Sequence, residues 1–344
     1  MLALRLYPDR RLRLQEEPIP VPADGEALLR ITAVGLCGSD RHWMVDGGIG
    51  DAVLDRPLVL GHEFAAVVET GRLAGRRVAV DPADTCGTCD LCHRHRSNLC
   101  QAIRFAGHGA VDGALREWMA WPEDCLYPVA HHVSDVEAAL IEPLAVAVHA
   151  LELGRPLEGE TVAVVGCGPI GVLLVALARR AGAATVIGVD PLRHRRDMAL
   201  AFGASIAIDG SPSGHLARDI AEASSRRGCD LVFEVAGDTP AVETAVAAAA
   251  PGSRVILVGI PSDDRTTFTA SVARRKGLAL QLVRRSTTEA FERATALAAT
   301  GELDLGRLVS DRAPLQEAMR AIDGFVARAG MKVVIEPGSS STGG

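Results

Sequence analysis

"TVAVVGCGPIGVLLVALARRAGAATVIGVD", residues 161–190, decides the fold. It opens on an apolar β-type run, meets glycines at positions 166, 168 and 171, and continues as an alanine- and leucine-rich stretch of helical character. A second apolar run then ends in Asp190. Strand, G-x-G-x-x-G, helix, strand and terminal acid is the pattern of a dinucleotide-binding βαβ unit. Gly166 permits the tight turn, Gly168 lets backbone approach a pyrophosphate, and Gly171 lets helix and strand pack closely. The helix N-terminus offers free N–H groups and a partial positive charge to the phosphates. Asp190 stands nineteen residues after Gly171, where a carboxylate accepts hydrogen bonds from the adenosine ribose and repels a 2′-phosphate. The expected cofactor is therefore NAD rather than NADP. Arg193 and Arg195 follow closely and soften that preference. The plainer alternative is a turn that merely needs glycines.

Downstream, the apolar runs "SIAID", "CDLVFEVAG", "RVILVGI" and "LALQLVRR" alternate with helix-compatible stretches such as "PAVETAVAAAA". Continuous apolar strands alternating with helices imply an α/β unit with a parallel sheet covered on both faces. Upstream, residues 1–145 carry short β-type runs such as "EALLRITAV" and "RRVAVDP", broken by Gly, Pro and Asp, which predicts an irregular, mostly β domain. Residues 286–336 read as helix, loop, helix and a last strand, "MKVVIEP". The tail "GSSSTGG", 338–344, is too polar to pack and is expected to be disordered. The predicted domains are 1–148, 149–286 for the dinucleotide, and a C-terminal return at 287–337.

Composition excludes several classes. Across 344 residues, 48% hydrophobic and 23% charged content is that of a globular enzyme. A net charge of −7 with no basic block argues against nucleic acid as a partner. No apolar run reaches the ~18 residues of a membrane helix, and the first residues, "MLALRLYPDRRLRLQEEP", are too charged for an export signal. The expectation is a cytoplasmic, reducing compartment, where eight cysteines serve as metal ligands or small hydrophobes rather than disulfides.

"CGTCDLCHRHRSNLC" places Cys86, Cys89, Cys92 and Cys100 within fifteen residues. Four thiolates at this spacing close a tetrahedral shell around zinc with no vertex left open, so the lobe at 86–100 is a structural site. His93 and His95 within it are expected to be solvated. "GHEFAAVVETG", 61–71, sets His62 beside Glu63; "AVGLCGSDRHW" supplies Cys37, and "ALIEPLAVAVHA" supplies Glu142 before a helix. Sulfur, imidazole and carboxylate from separate loops could hold a catalytic zinc, which needs about three protein ligands and an open position. Spacing alone leaves open a hydrogen-bonded core histidine beside a surface acid.

With "DGGIGDAVLDRPLVLGHE" between them, these segments in this order resemble the zinc-containing medium-chain alcohol dehydrogenase family, and within it the polyol (sorbitol or L-iditol) dehydrogenase branch. The resemblance covers nearly the whole chain and implies a GroES-like catalytic domain with an inserted Rossmann domain. It implies two zinc ions per chain. Cys37, His62 and Glu63 would ligate the catalytic ion, and Glu142 would bind it directly or through water. Ser39 would hydrogen-bond the substrate alcohol and His42 would relay its proton. Ile170, Asp190, Arg195, Val258, Gly259, Ile260, Val283, Arg284 and Arg285 would contact the cofactor; Arg285, Phe105 and Trp43 would meet substrate.

The implied reaction moves a hydride between NAD and a secondary alcohol or ketone of a polyol, cyclitol or sugar, in a homodimer or homotetramer. Trp43 and Ser286 stand where the branch usually has tyrosines, and the stretch between Glu69 and Val78 is short, so sorbitol itself is left open. Alternatives are a threonine-type amino-alcohol dehydrogenase and a non-catalytic dinucleotide-binding relative; such relatives typically lose the ligands this chain keeps. Cys125, Cys167 and Cys229 are expected to be packing residues, His131 and His132 an exposed pair, and His149 a packed residue seven positions after Glu142. "RHRRD" and "ARRK" are read as solvated helix faces.

Overall fold

The computed structural model describes residues 1–211, 216–225 and 227–338. The chain forms two compact units, Met1–Ala145 with the chain from Ser286 on, and Val146–Arg285.

The first unit is built on a seven-stranded sheet whose central strand is Glu26–Gly35. Its residues "EALLRITAVG" alternate between buried and half-buried, the period of a strand with one face on a core. That strand pairs antiparallel with Glu63–Val68 on one side, and with Lys332–Glu336 and Trp118–Pro122 on the other. Register sets Gly35 opposite Glu63 and also opposite Val334. Two residues later the chain reaches Cys37 and turns into the helix Gly38–Val45. Three segments remote in sequence therefore meet at one end of the sheet, above a core that includes Leu29, Ile31, Phe64 and Trp121.

The C-terminal part holds the helices Thr288–Thr300 and Ala318–Val326 and the final strand Lys332–Glu336, as expected. It also holds a strand absent from the sequence reading, Val309–Pro314, parallel to Lys332–Glu336. "VSDRAP" is polar and ends in proline, so it carries no apolar run, yet it suits a sheet edge.

The second unit carries all six expected strands in one parallel sheet, ordered Ile206–Asp209, Thr185–Asp190, Thr161–Val165, Cys229–Glu234, Ala249–Leu257 and Ala279–Leu282. This is the doubly wound order in which a ligand sits at the carboxyl ends of the central strands. The helix Pro169–Arg180 buries every residue from Gly171 to Ala178, hence the absence of a polar stripe in its sequence.

Both charged clusters are in part the expected solvated faces, with Arg193, His194, Asp197, Arg274 and Arg275 exposed, but one member of each is committed to carbonyls. Lys276 Nζ donates to the carbonyls of Val246, Ala247 and Ala249 at 3.1, 2.8 and 2.8 Å, closing the end of the helix Thr239–Ala248. Arg196 donates to the carbonyls of Asp190 and Pro191 and pairs with Asp209 at 3.1 Å. Of the predicted disordered tail, 339–344 lie outside the described residues. No helix among the described residues is long and apolar enough to cross a membrane.

Candidate metal centres and dinucleotide site

The sheet register of the first unit brings together one atom each from Cys37, His62 and Glu63, all within 4.8 Å of one another. Local chemistry fixes each side chain. Asp40, fully buried, accepts from the Cys37 amide at 2.9 Å and the Gly61 amide at 3.3 Å, and lies 3.6 Å from His62 Nδ1. One carboxylate thus ties both ligand-bearing loops and stands beside Nδ1 of His62, on the far side of the ring from the Nε2 that meets Ser39. Ser39 Oγ stands 3.3 Å from that Nε2. Glu63, opposite Gly35, fills the space a side chain there would take: a Cβ on Gly35 would lie 2.2 Å from Glu63 Oε2.

Lys332 approaches Glu63 from the last strand. Its Nζ lies 2.7 and 2.6 Å from the two oxygens and 3.0 Å from the Leu36 carbonyl, all buried. Burial pulls the Lys332 ammonium down, but Glu63 and Cys37 more than offset it, and the net direction is up. Burial likewise pulls the His62 imidazole down, while Asp40 and Cys37 carry it well above its ordinary value. Glu142, in the first turn of the helix Ile141–Gly154, is 5% exposed and lies outside the three-atom cluster. Burial pushes its carboxyl up to about 8, with His62 pulling it back.

At the second centre the four sulfurs of Cys86, Cys89, Cys92 and Cys100 lie 3.5–4.0 Å apart along four edges. Zinc–sulfur bonds of about 2.3 Å in a tetrahedron place sulfurs roughly 3.8 Å apart. All eight cysteines are free thiols. The soft donor set and its spacing fit zinc at this lobe, and the S, N and O donors fit zinc at the first.

Elsewhere in this unit, His42 Nδ1 pairs with Asp46 at 2.7 Å. Phe105 is half-buried with its ring 5.5 Å from that of His62, whereas Trp43 is 2% exposed, edge-on to His108 at 5.4 Å. His131 and His132 are exposed. His95, expected to be simply solvated, meets Glu289 at 2.6 Å, and Ser97 accepts from the Thr288 amide at 3.0 Å. The thiolate lobe is thereby fastened to the start of the helix Thr288–Thr300.

In the second unit the three glycines behave as three different devices. Gly166 has φ +99° and lies against the Ala236 backbone, Gly171 touches the Gly166 carbonyl, and Gly168 has open space apart from Arg195. That open space is where backbone could meet a pyrophosphate. Ile170 follows at the helix start, half-buried. Asp190, 3% exposed, accepts from the Cys167 amide at 2.9 Å and the Leu192 amide at 2.8 Å, with Arg195 at 3.8 Å. At the neighbouring strand ends, buried Glu234 accepts from the Ala236 and Gly237 amides at 2.8 and 2.7 Å, against which Val258–Ile260 packs. Val283 donates to the Leu257 carbonyl, Arg284 is exposed, and Arg285 has φ +55°, a conformation uncommon outside glycine. Cys125, Cys167 and Cys229 are buried, with burial pushing the last two up to about 12, and His149 is buried.

Asp40, Lys332 and Glu234 were not singled out by sequence. A signal existed for Asp40, which occupies the third position of the helix that follows Cys37, where an acid caps the first turn.

A dinucleotide loop joined in one chain to a three-ligand cation site and a tetrathiolate centre defines a metal-dependent oxidoreductase. Residues 23–131 match the alcohol dehydrogenase GroES-like domain and residues 169–300 the zinc-binding dehydrogenase domain. The chain is 35% identical to sorbitol dehydrogenase of Bacillus subtilis over 254 residues, 72% of each chain. L-idonate 5-dehydrogenase of Escherichia coli superposes with a TM-score of 0.88 at 26% identity, covering 97% of each chain. A zinc-binding dehydrogenase of Sinorhizobium meliloti bound to NADP superposes with a TM-score of 0.88 at 29% identity, covering 98% of this chain and 99% of that one. The chain belongs to the zinc-dependent medium-chain alcohol dehydrogenase family, on its polyol dehydrogenase branch. It is a zinc- and NAD(P)-linked dehydrogenase with a GroES-like domain and a Rossmann-type sheet.

Proposed function

We propose that the chain oxidises a secondary hydroxyl of a polyol, cyclitol or sugar with NAD, and reduces the matching ketone in reverse. The observation that carries this is the convergence of Cys37, His62, Glu63 and Ser39 at one end of the sheet. Zinc held there would supply a Lewis acid for the alcohol oxygen, and a dinucleotide in the glycine loop would supply the hydride acceptor. Cys37, His62 and Glu63 would hold the ion, and the buried Glu142, at the start of the helix Ile141–Gly154, would add to that set directly or through water. Lys332 neutralises Glu63 and Asp40 orients His62. Ser39 accepts the alcohol proton and passes it along the helix Gly38–Val45 toward His42. Gly166, Gly168, Ile170 and Gly171 would cradle the pyrophosphate, Asp190 and Arg195 would receive the adenosine ribose, and Val258–Ile260 and Val283–Arg285 would complete the cofactor contacts. Asp190 supports NAD over NADP, since its buried charge opposes a 2′-phosphate. Substrates named for relatives, sorbitol and idonate, share a run of hydroxylated carbons.

The test is a panel of alditols, cyclitols, sugar acids and amino alcohols, each assayed with NAD and NADP on protein of known zinc content. Turnover confined to amino alcohols, or full turnover with less than one zinc per chain, refutes the reading.

A further inference from the structure

The helix Gly38–Val45 carries Ser39 and His42, and Asp46 caps its end. Positions 39, 42 and 46 are three and four residues apart and lie on one face. Ser39 Oγ is 3.3 Å from His62 Nε2, at the metal end of that face. At the other end His42 Nδ1 is 2.7 Å from Asp46 Oδ2, with side chains 16% and 33% exposed. The row thus begins beside the cation site and ends in water.

We propose that Asp46 is a positioning residue for proton release: it holds the Nδ1–H of His42 and so keeps Nε2 as the nitrogen that accepts. The inference rests on the reading of Ser39 and His42 as the proton path. A neutral imidazole has one N–H, and an ionised carboxylate only accepts. A separation of 2.7 Å is the length of a charge-assisted bond, so the hydrogen belongs on Nδ1. The alcohol proton then reaches Nε2 as a bond forms there, Nδ1–H breaks toward Asp46, and the carboxylate yields that proton to water. Exchange of the ring protons with solvent restores the starting tautomer, with one proton released per hydride transferred.

The backbone fixes the geometry, because the Asp46 and Gly47 amides both donate to the His42 carbonyl at 2.8 and 3.0 Å. Around this end, Arg10 reaches over from the turn after Leu2–Leu6 to the Val45 carbonyl, and Arg41 donates to the Val326 carbonyl. The packed strand Gly48–Ile49 brings no titratable side chain. Asp40, on the same helix, is committed to Cys37, Gly61 and His62.

Nitrogen NMR of the zinc-loaded full chain, with His42→Gln to assign the signal, reads the tautomer directly. The expected result is Nδ1–H in wild type and Asp46→Glu, and predominantly Nε2–H in Asp46→Ala. In turnover, Asp46→Ala lowers kcat about tenfold with KM within twofold, and Asp46→Glu restores kcat. That fraction suits one part of an acid–base chain worth 10²–10⁴ in all. An Nε2–H tautomer in wild type, or an undiminished kcat in Asp46→Ala, overturns the proposal. The wild-type spectrum decides alone if a variant does not fold. Absence of any alcohol turnover would instead count against the proposed function, and the spectrum would still report on Asp46.

Discussion

Lys332 and Glu63 form an ion pair hidden from solvent, with Nζ 2.7 and 2.6 Å from the two carboxylate oxygens and side chains 3% and 1% exposed. One of only two lysines in the chain is spent here. Removing one partner of such a pair strands a buried charge, at a cost of about 3–5 kcal/mol, whereas removing both is far milder. Lys332→Met should therefore lower unfolding free energy by about that amount. Lys332→Met with Glu63→Gln should recover most of it, although zinc binding at this centre stays impaired. Urea unfolding of the four proteins in a double-mutant cycle measures the coupling. Simple additivity of the two losses would show that the pair does not act as a unit.

Gly35 is constrained by the same carboxylate. Because a Cβ there would stand 2.2 Å from Glu63 Oε2, Gly35→Ala must push Glu63 away from Lys332 or distort the strand. The expected outcome is a folded protein that binds dinucleotide normally but holds about one zinc per chain. Metal analysis after dialysis checks this, and retention of two zinc ions with full turnover would refute it.

The tetrathiolate lobe calls for a different signature. His95 to Glu289 and Ser97 to Thr288 are its fastenings to the helix Thr288–Thr300. Cys100→Ser should release one zinc and lower the melting temperature by on the order of 10 °C, as loss of a structural metal does. The remaining zinc and the chemistry at Cys37 should survive at low temperature. Equal loss of both metals would argue that the two centres are not separable.

Sequence was most informative where one local device performs one task. The glycines at 166, 168 and 171 announce themselves as a motif, with the positive φ at Gly166 and the close approach at Gly171 admitting no side chain and Gly168 left open. The four thiols at 86–100 do so because their ligand set is local. The four inner Rossmann strands were legible because strands covered on both faces must be apolar throughout. The edge strands Ile206–Asp209 and Ala279–Leu282 are largely exposed and were legible from their place in the strand–helix alternation. The catalytic centre was legible only by resemblance, since Cys37, His62 and Glu63 meet through sheet register, which no spacing along the chain encodes. Lys332 was invisible for the same reason: it lies 269 residues after Glu63 and sits in an unremarkable apolar strand. Lys276 and Arg196 were misread because a charged run on a helix looks solvated until the carbonyls it caps are known.

Acid stability should depend on the N-terminal strand. Arg5 bonds both Glu17 and Asp112, each at 2.8–2.9 Å. The bond from Arg5 holds the Glu17 carboxyl below its usual 4.5, with burial opposing it. A lowered folded-state value means the contribution is complete above that usual value and is lost as pH falls through the folded one. Glu17→Gln should lower stability by about 1 kcal/mol at neutral pH, and the difference from wild type should shrink below pH about 4. Chemical denaturation at a series of pH values reads the effect; a difference that grows with acidity would reverse the assignment.

Asp190 joins cofactor choice to loop shape. One oxygen accepts from the Cys167 amide inside the glycine loop at 2.9 Å, the other from the Leu192 amide at 2.8 Å, and Arg195 waits at 3.8 Å. Asp190→Ser removes the charge that opposes a 2′-phosphate and leaves Arg195 to meet it. It also takes the acceptor from the Cys167 amide, so the loop should loosen. Two effects are therefore expected together. The NADP-to-NAD ratio of kcat/KM should rise about ten- to a hundredfold, the scale of one buried charged hydrogen bond. Affinity for both dinucleotides should fall, and fall less in Asp190→Asn, whose amide oxygen can still accept from Cys167. Calorimetric titration with each dinucleotide, alongside kinetics, separates these effects. If the ratio moves without any loss of NAD affinity, Asp190 reads the ribose but does not shape the loop.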